Sequence, residues 1–93
     1  GPALYSSALI ADHFNWIPFD EPTEAVRVTV KTRYKAKEVP ATAEVLRDEN
    51  GSSTGRVIVR FEQPERAVAI GQAVVLYDGD TVVGGGTIRE AIR

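Results

Sequence analysis

The chain has 93 residues, is 43% hydrophobic and 26% charged, carries a formal net charge of −2 and contains no cysteine. That length supports one core rather than two, and the composition is that of an ordinary soluble globular domain. It excludes a bulk polycation, a disulfide framework and thiolate metal ligation. No apolar run reaches the ~20 residues a membrane-spanning helix needs, and no signal peptide is present. These features predict a cytoplasmic domain cut from something larger.

From Leu4 to Ile17 apolar and polar residues mix without a helical stripe. This predicts two short strands, or a strand and an extended arm, with Leu4, Leu9, Ile10, Phe14, Trp16 and Ile17 as packing candidates. Asp20 to Glu24, with three acids and Pro22, is a loop. Val26, Val28 and Val30 then alternate with Arg27, Thr29 and Lys31, a half-buried strand running on towards Tyr34. Ala41, Ala43 and Val45 alternate with Thr42 and Glu44 in the next strand. The polar cluster from Asp48 to Gly55, containing Asn50-Gly51, is a hairpin connection, and Val57, Val59 and Phe61 form the strand after it. Pro64 to Ala69 reads as a short helical turn or loop with Pro at its start. Gln72–Tyr77 and a strand from Thr81 towards Ile88 flank Asp78-Gly79-Asp80, a tight-hairpin signal. Gly84-Gly85-Gly86 predicts a kink, a bulge or a close backbone approach. The result is an all-β chain of six or seven short strands, and periodicity leaves barrel and sandwich both open.

The last third, from Phe61 to Ile88, also resembles a known family. Its matching residues are Phe61, Pro64, Arg66, Ala67, Gly71, Gln72, Val74, Val75, Tyr77, Gly79, Asp80, Gly84, Gly85, Gly86 and Ile88. Upstream, Pro2-Ala3-Leu4-Tyr5-Ser6, Asn15-Trp16-Ile17, Lys31-x-Arg33-Tyr34 and Pro40-Ala41 match in the same order. This pattern resembles the C-terminal domain of the bacterial tRNA-specific 2-thiouridylases (tRNA-uridine 2-sulfurtransferases, the MnmA/TrmU family). The resemblance implies a small antiparallel β-barrel similar to domain 2 of elongation factors, residues 1–93 forming one C-terminal domain of a larger enzyme. It implies a transferase that thiolates C2 of the wobble uridine of tRNA, adenylating the base with ATP and delivering sulfur from an enzyme persulfide. The cysteines and the Gly-rich ATP loop of that reaction are not in this sequence. The expectation is therefore a non-catalytic piece with no cofactor of its own, ATP being bound by the upstream N-terminal domain.

Candidate contact residues come from charge. Arg27, Lys31, Arg33, Lys35 and Lys37 lie in a segment without an acid, and the period of two puts them on one strand face, ~6–7 Å apart. A line of cations at that spacing, with Tyr34 beside it, suits an RNA strand through phosphate contact and stacking. With Arg66 from the family-patterned segment, the candidate RNA-binding set is Lys31, Arg33, Tyr34, Lys35, Lys37 and Arg66, and Arg60 is a further extension. The plainer account is a solvated strand face, or Lys and Arg guarding a sheet edge. Other candidates are weaker. The Gly run lacks the Lys-Ser/Thr of a phosphate loop, and Asp78-Gly79-Asp80 lacks the remaining ligands of a calcium loop, so no metal site is expected. Ser6, Asp12 and His13 lack the surroundings of a hydrolytic triad, leaving His13 as a surface or strand-edge residue. The expected partners are tRNA and the upstream domains, with no membrane and no DNA. The alternative is a structural module that packs on those domains, or binds a sulfur-relay protein, without touching RNA.

Overall fold

A computed structural model of the chain describes residues 4–17, 20–32, 37–66 and 68–93. It contains six strands, β1 (Tyr5–Trp16), β2 (Val26–Thr32), β3 (Val39–Arg47), β4 (Ser53–Arg66), β5 (Ala73–Asp78) and β6 (Thr81–Ile92). They pair in the order β1-β4-β3-β2-β5-β6, and β6 returns to β1 to close a barrel in which every pairing is antiparallel. Among the described residues no helix is long and apolar enough to cross a membrane. The predicted all-β barrel is the observed one.

Alternation explains both the strands and the narrow core. Val28 and Val30 of β2, Ala41, Ala43 and Val45 of β3, and Val57 and Val59 of β4 all point inward and are buried. A barrel of six strands encloses little space, because diameter grows with strand number. Its interior therefore takes Val, Ala, Leu9, Leu76 and Ile88, while the rings of Phe14, Trp16 and Phe61 are only partly buried against it. Each fully buried aliphatic side chain contributes about 1.5–3 kcal/mol.

The hairpins follow their turn residues. Asp78 pairs with Thr81, leaving Gly79-Asp80 as a two-residue loop. Gly79 has φ +59°, the positive value that a type II′ turn asks of its first central residue. In the β3–β4 connection the Asp48 carboxylate accepts the N–H groups of Asn50 and Ser52 at 2.8 and 3.0 Å, fixing the turn.

Two predicted segments differ from the structure. Leu4 to Ile17 gives one strand of 12 residues, not two short ones. Its register against β6 shifts between Ile10 and Ala11 and again between Asp12 and Asn15. The first inserts its extra residue in β6, Arg89, and leaves Leu9 and Ala11 both inward; the second inserts one in β1, after which Phe14 and Trp16 are the half-buried positions, so no single period runs through the segment. Pro64 to Arg66, read as the start of a helical turn, is the end of β4. Between Arg60 and Glu65 that strand has no partner on β1, and its pairing with β3 stops at Phe61. Pro64 sits in this gap, where its missing N–H removes no ladder hydrogen bond.

The glycine run is the close approach that the sequence suggested. The ring of Phe14 lies over Gly84 and Gly86, where a Cβ on Gly84 would stand 2.5 Å from its Cε1 and one on Gly86 would stand 2.7 Å from the Asp12 carbonyl oxygen. Phe14 in turn packs on Trp16 with ring centroids 4.7 Å apart, filling the mouth of the barrel.

Candidate RNA-contacting surface

Because all pairings are antiparallel, β1, β3 and β5 run one way and β2, β4 and β6 the other. The β1–β2, β3–β4 and β5–β6 connections therefore lie at one end, here the upper end. The β2–β3 and β4–β5 connections leave from the lower end, with the start of β1 and the finish of β6. This topology sorts the charges. The upper connections and their flank carry Asp20, Glu21, Glu24, Asp48, Glu49, Asp78 and Asp80, and those connections contain no Lys or Arg. The β2–β3 connection carries Arg33, Lys35 and Lys37 against a single acid, Glu38.

The predicted cation line divides along its length. Arg27 and Lys31 are exposed on the outer face of β2 while Val28 and Val30 point inward, as the period of two requires. Arg27, however, meets Glu62 of β4 at 3.5 Å, and Thr29 donates its hydroxyl to Glu38 at 2.5 Å. The segment has no acid of its own, but neighbouring strands and the β2–β3 connection supply them. Arg60, offered as an extension, is held by Glu44 at 2.8 Å on β4, with β3 between it and β2. Lys31 and Arg66 stand at the lower ends of β2 and β4, and Lys37 is exposed just before β3. None of these three makes an ion pair among the described residues. Arg33, Tyr34 and Lys35 lie outside the described residues. The edge-guarding account does not apply, since β2 pairs with β3 on one side and β5 on the other.

Thr32 and Arg66 line a cavity of about 10 Å³ with Val30, Phe61 and Val68. That space is about the size of one water molecule, so this rim offers no pocket for a nucleobase. Among the described residues no group of His, Cys, Asp and Glu is placed to hold a metal ion. The glycine run cannot cradle the phosphates of ATP, because the Phe14 ring occupies the space over Gly84 and Gly86.

A second cluster was not legible in the sequence. At the β1 bulge His13 has φ +51° and its side chain is 90% exposed. The carboxylate of Asp12 accepts the His13 backbone N–H at 2.9 Å and meets Arg89 Nη1 of β6 at 3.1 Å and Arg56 Nε of β4 at 3.7 Å. The His13 N–H first, then the charges of His13, Arg56 and Arg89, hold the Asp12 carboxyl below the usual carboxylate range, against the opposing effect of partial burial. Asp12 and His13 are adjacent in sequence, but nothing in sequence shows that β1 lies between β4 and β6. Ser6 is buried at the other end of β1, paired with Glu65, so no triad forms.

Residues 6–88 match the family model described as the aminomethyltransferase β-barrel domain. The chain belongs to that family. Its sequence is also similar, along its whole length, to part of the tRNA-specific 2-thiouridylases, the resemblance already visible in its residues. It is 44% identical over 93 residues to tRNA-specific 2-thiouridylase MnmA 2 of Caldanaerobacter subterraneus subsp. tengcongensis, covering 100% of this chain and 24% of that protein. It is 46% identical to the MnmA of Clostridium acetobutylicum and 48% identical to that of Acetivibrio thermocellus, each over 86 residues, 92% of this chain and 22% of theirs. The chain thus spans about a quarter of the length of the curated relatives it matches.

Proposed function

We propose that this barrel is the C-terminal, tRNA-holding domain of a tRNA-uridine 2-sulfurtransferase, the enzyme that thiolates C2 of the wobble uridine. ATP-dependent activation of the base and persulfide sulfur delivery belong to the remainder of that enzyme, in the cytoplasm. The barrel itself contributes no catalytic group and no cofactor site. The observation that carries the reading is the separation of charge between the two ends. The acidic upper connections repel a polyanion, while the lower end presents Lys31, Lys37 and Arg66, and the sequence of the β2–β3 connection adds Arg33, Tyr34 and Lys35. The relatives' printed names agree with tRNA as the substrate.

A second reading draws support from the outer wall. Ile10 and Ile58 face each other across β1 and β4 on the outside of the barrel, and Leu4, Ile17 and Ile70 are exposed by 49%, 48% and 67%. Such residues suit packing on upstream domains, or on a sulfur-relay protein, without RNA contact.

Fluorescence anisotropy of labelled tRNA against the chain, at several salt concentrations, separates these readings. Phosphate contact makes log K fall linearly with log salt, by roughly 0.7–0.9 for each contact. The variant Lys31→Ala/Arg33→Ala/Lys35→Ala is expected to bind more weakly and with a shallower slope. Absence of binding by the wild type at low salt favours the packing module.

A further inference from the structure

We infer that the Asp12-centred cluster on the outer wall is a second phosphate-contact site, where Arg56 and Arg89 grip a phosphodiester of the RNA strand that the lower rim holds. The inference rests on the reading that the barrel binds tRNA, and it extends that contact from the rim onto the β1/β4/β6 wall.

The stoichiometry of charge sets this cluster apart. Arg60 is matched one-to-one by Glu44, and Arg27 by Glu62. Arg56 and Arg89 share the single carboxylate of Asp12, so a positive charge remains even with His13 neutral. Each guanidinium offers five N–H donors in a rigid fork; Arg89 donates one to Asp12 at 3.1 Å and Arg56, at 3.7 Å, meets it as an ion pair only, leaving donors on both for a second anion. Asp12 holds the two forks beside one another before any ligand arrives, which lowers the ordering cost of binding. The guanidiniums are also reachable, their side chains being 42% and 46% exposed.

The backbone adds an independent sign. His13 holds a left-handed conformation, φ +51°, uncommon for a residue with a side chain, at a bulge that turns it and Asp12 towards the outer face. Strain of this kind concentrates at binding and catalytic sites. It places an imidazole, a further donor, with its Nδ1 4.0 Å from the Asp12 carboxylate. The 14-residue β4 connects the two regions, carrying Arg56 near its upper end, Arg60 midway and Arg66 at the rim. Arg60 is matched by Glu44, and Glu62 and Glu65 lie between it and the rim, so an RNA strand following β4 contacts the barrel at Arg56 and at Arg66 rather than continuously.

The test is the salt dependence of tRNA binding by wild type, Arg56→Gln/Arg89→Gln, Arg56→Lys/Arg89→Lys and Arg47→Gln, with folding checked by circular dichroism. Arg47 is held by Glu21 and by the Gly51 and Pro22 carbonyls at the acidic end, and its variant controls for bulk charge. The glutamine pair is expected to bind roughly tenfold more weakly, with a salt slope shallower by about 1.5, while the lysine pair keeps the slope and Arg47→Gln behaves as wild type. An unchanged slope in the folded glutamine pair overturns the site while leaving the rim reading intact. A slope loss as large in Arg47→Gln also overturns it, because the effect is then bulk charge. No binding by the wild type removes both readings. Inorganic phosphate that binds the wild type but not the glutamine pair, without weakening tRNA binding beyond chloride at equal ionic strength, marks a free-phosphate site and overturns the assignment to RNA.

Discussion

On the wall of the barrel, Arg60 is matched one-to-one with Glu44 and Arg27 with Glu62, while Arg56 and Arg89 share the one carboxylate of Asp12. At the lower rim Lys31, Lys37 and Arg66 make no ion pair among the described residues. Strand pairing accounts for the difference. A residue inside a closed sheet has a neighbour on either side, and the register Glu44↔Ile58 sets Glu44 beside Arg60. Lys31 and Arg66 stand where the ladders finish, so fewer side chains reach them. The same residue type therefore has different meanings at different places: one-to-one structural ties where Arg60 meets Glu44 and Arg27 meets Glu62, and uncompensated charge at the rim and where two arginines share Asp12.

The comparison breaks most readily through the glycine run that lets β1 bend against β6. Gly84→Ala brings its Cβ against Phe14 Cε1 at 2.5 Å and the Asn15 carbonyl oxygen at 2.8 Å. A loss of about 2–3 kcal/mol is expected, measured by urea unfolding followed through Trp16 fluorescence. Adding Phe14→Ala removes the ring clash but not the backbone one, so recovery is expected to be partial. A loss under about 0.5 kcal/mol would show that the strands part freely at this seam. Next in size is the rim. Lys31→Ala/Lys37→Ala/Arg66→Ala is expected to flatten the salt slope of tRNA binding by about 2, with stability changed by no more than about 0.5 kcal/mol. A large stability loss instead would make these residues structural, like those of the wall.

The sequence carried most of the barrel and only half of its charge map. β2, β3, the middle of β4 and the last hairpin were legible because Val28/Val30, Ala41/Ala43/Val45 and Val57/Val59 keep strict alternation, and because Asp78-Gly79 marks a turn. β1 was not, since its buried parity passes from Ser6 and Ala8 to Leu9 and Ala11 and, across the bulge between Asp12 and Asn15, to Phe14 and Trp16. Pro64 pointed to a helix start where the structure has an unpaired stretch of strand, a distinction that depends on partners distant in sequence. The outward face of Arg27 and Lys31 was visible in the alternation. That Glu62 reaches Arg27 from β4, past the intervening β3, was not. The Asp12 cluster joins residues of three strands, and only the closure of β6 onto β1 assembles it.

A smaller effect is expected from the one-to-one pair. In a double-mutant cycle of Arg60→Ala and Glu44→Ala the coupling should be about 0.2–1 kcal/mol, the usual range for an exposed pair. A value well above that would mean that the wall is tied by its ion pairs as much as by its core.

Asp12→Asn should have the smallest effect near neutral pH, because Asn retains an oxygen for the His13 N–H and a similar shape. Its consequence appears in acid. The Asp12 carboxyl lies below its ordinary value of 3.8 in the folded chain, with the His13 N–H the largest cause. A carboxyl lowered by folding contributes stability that is fully present above the unfolded value and is lost as pH falls through the folded one. Wild type should therefore lose stability relative to Asp12→Asn as pH is taken from 5 to below 3.8, the two curves converging there. Urea midpoints measured at closely spaced pH values follow that convergence. Parallel curves throughout would show that Arg56 and Arg89 rest against Asp12 without favouring its ionised form, and the wall cluster would then be no better organised than the rim.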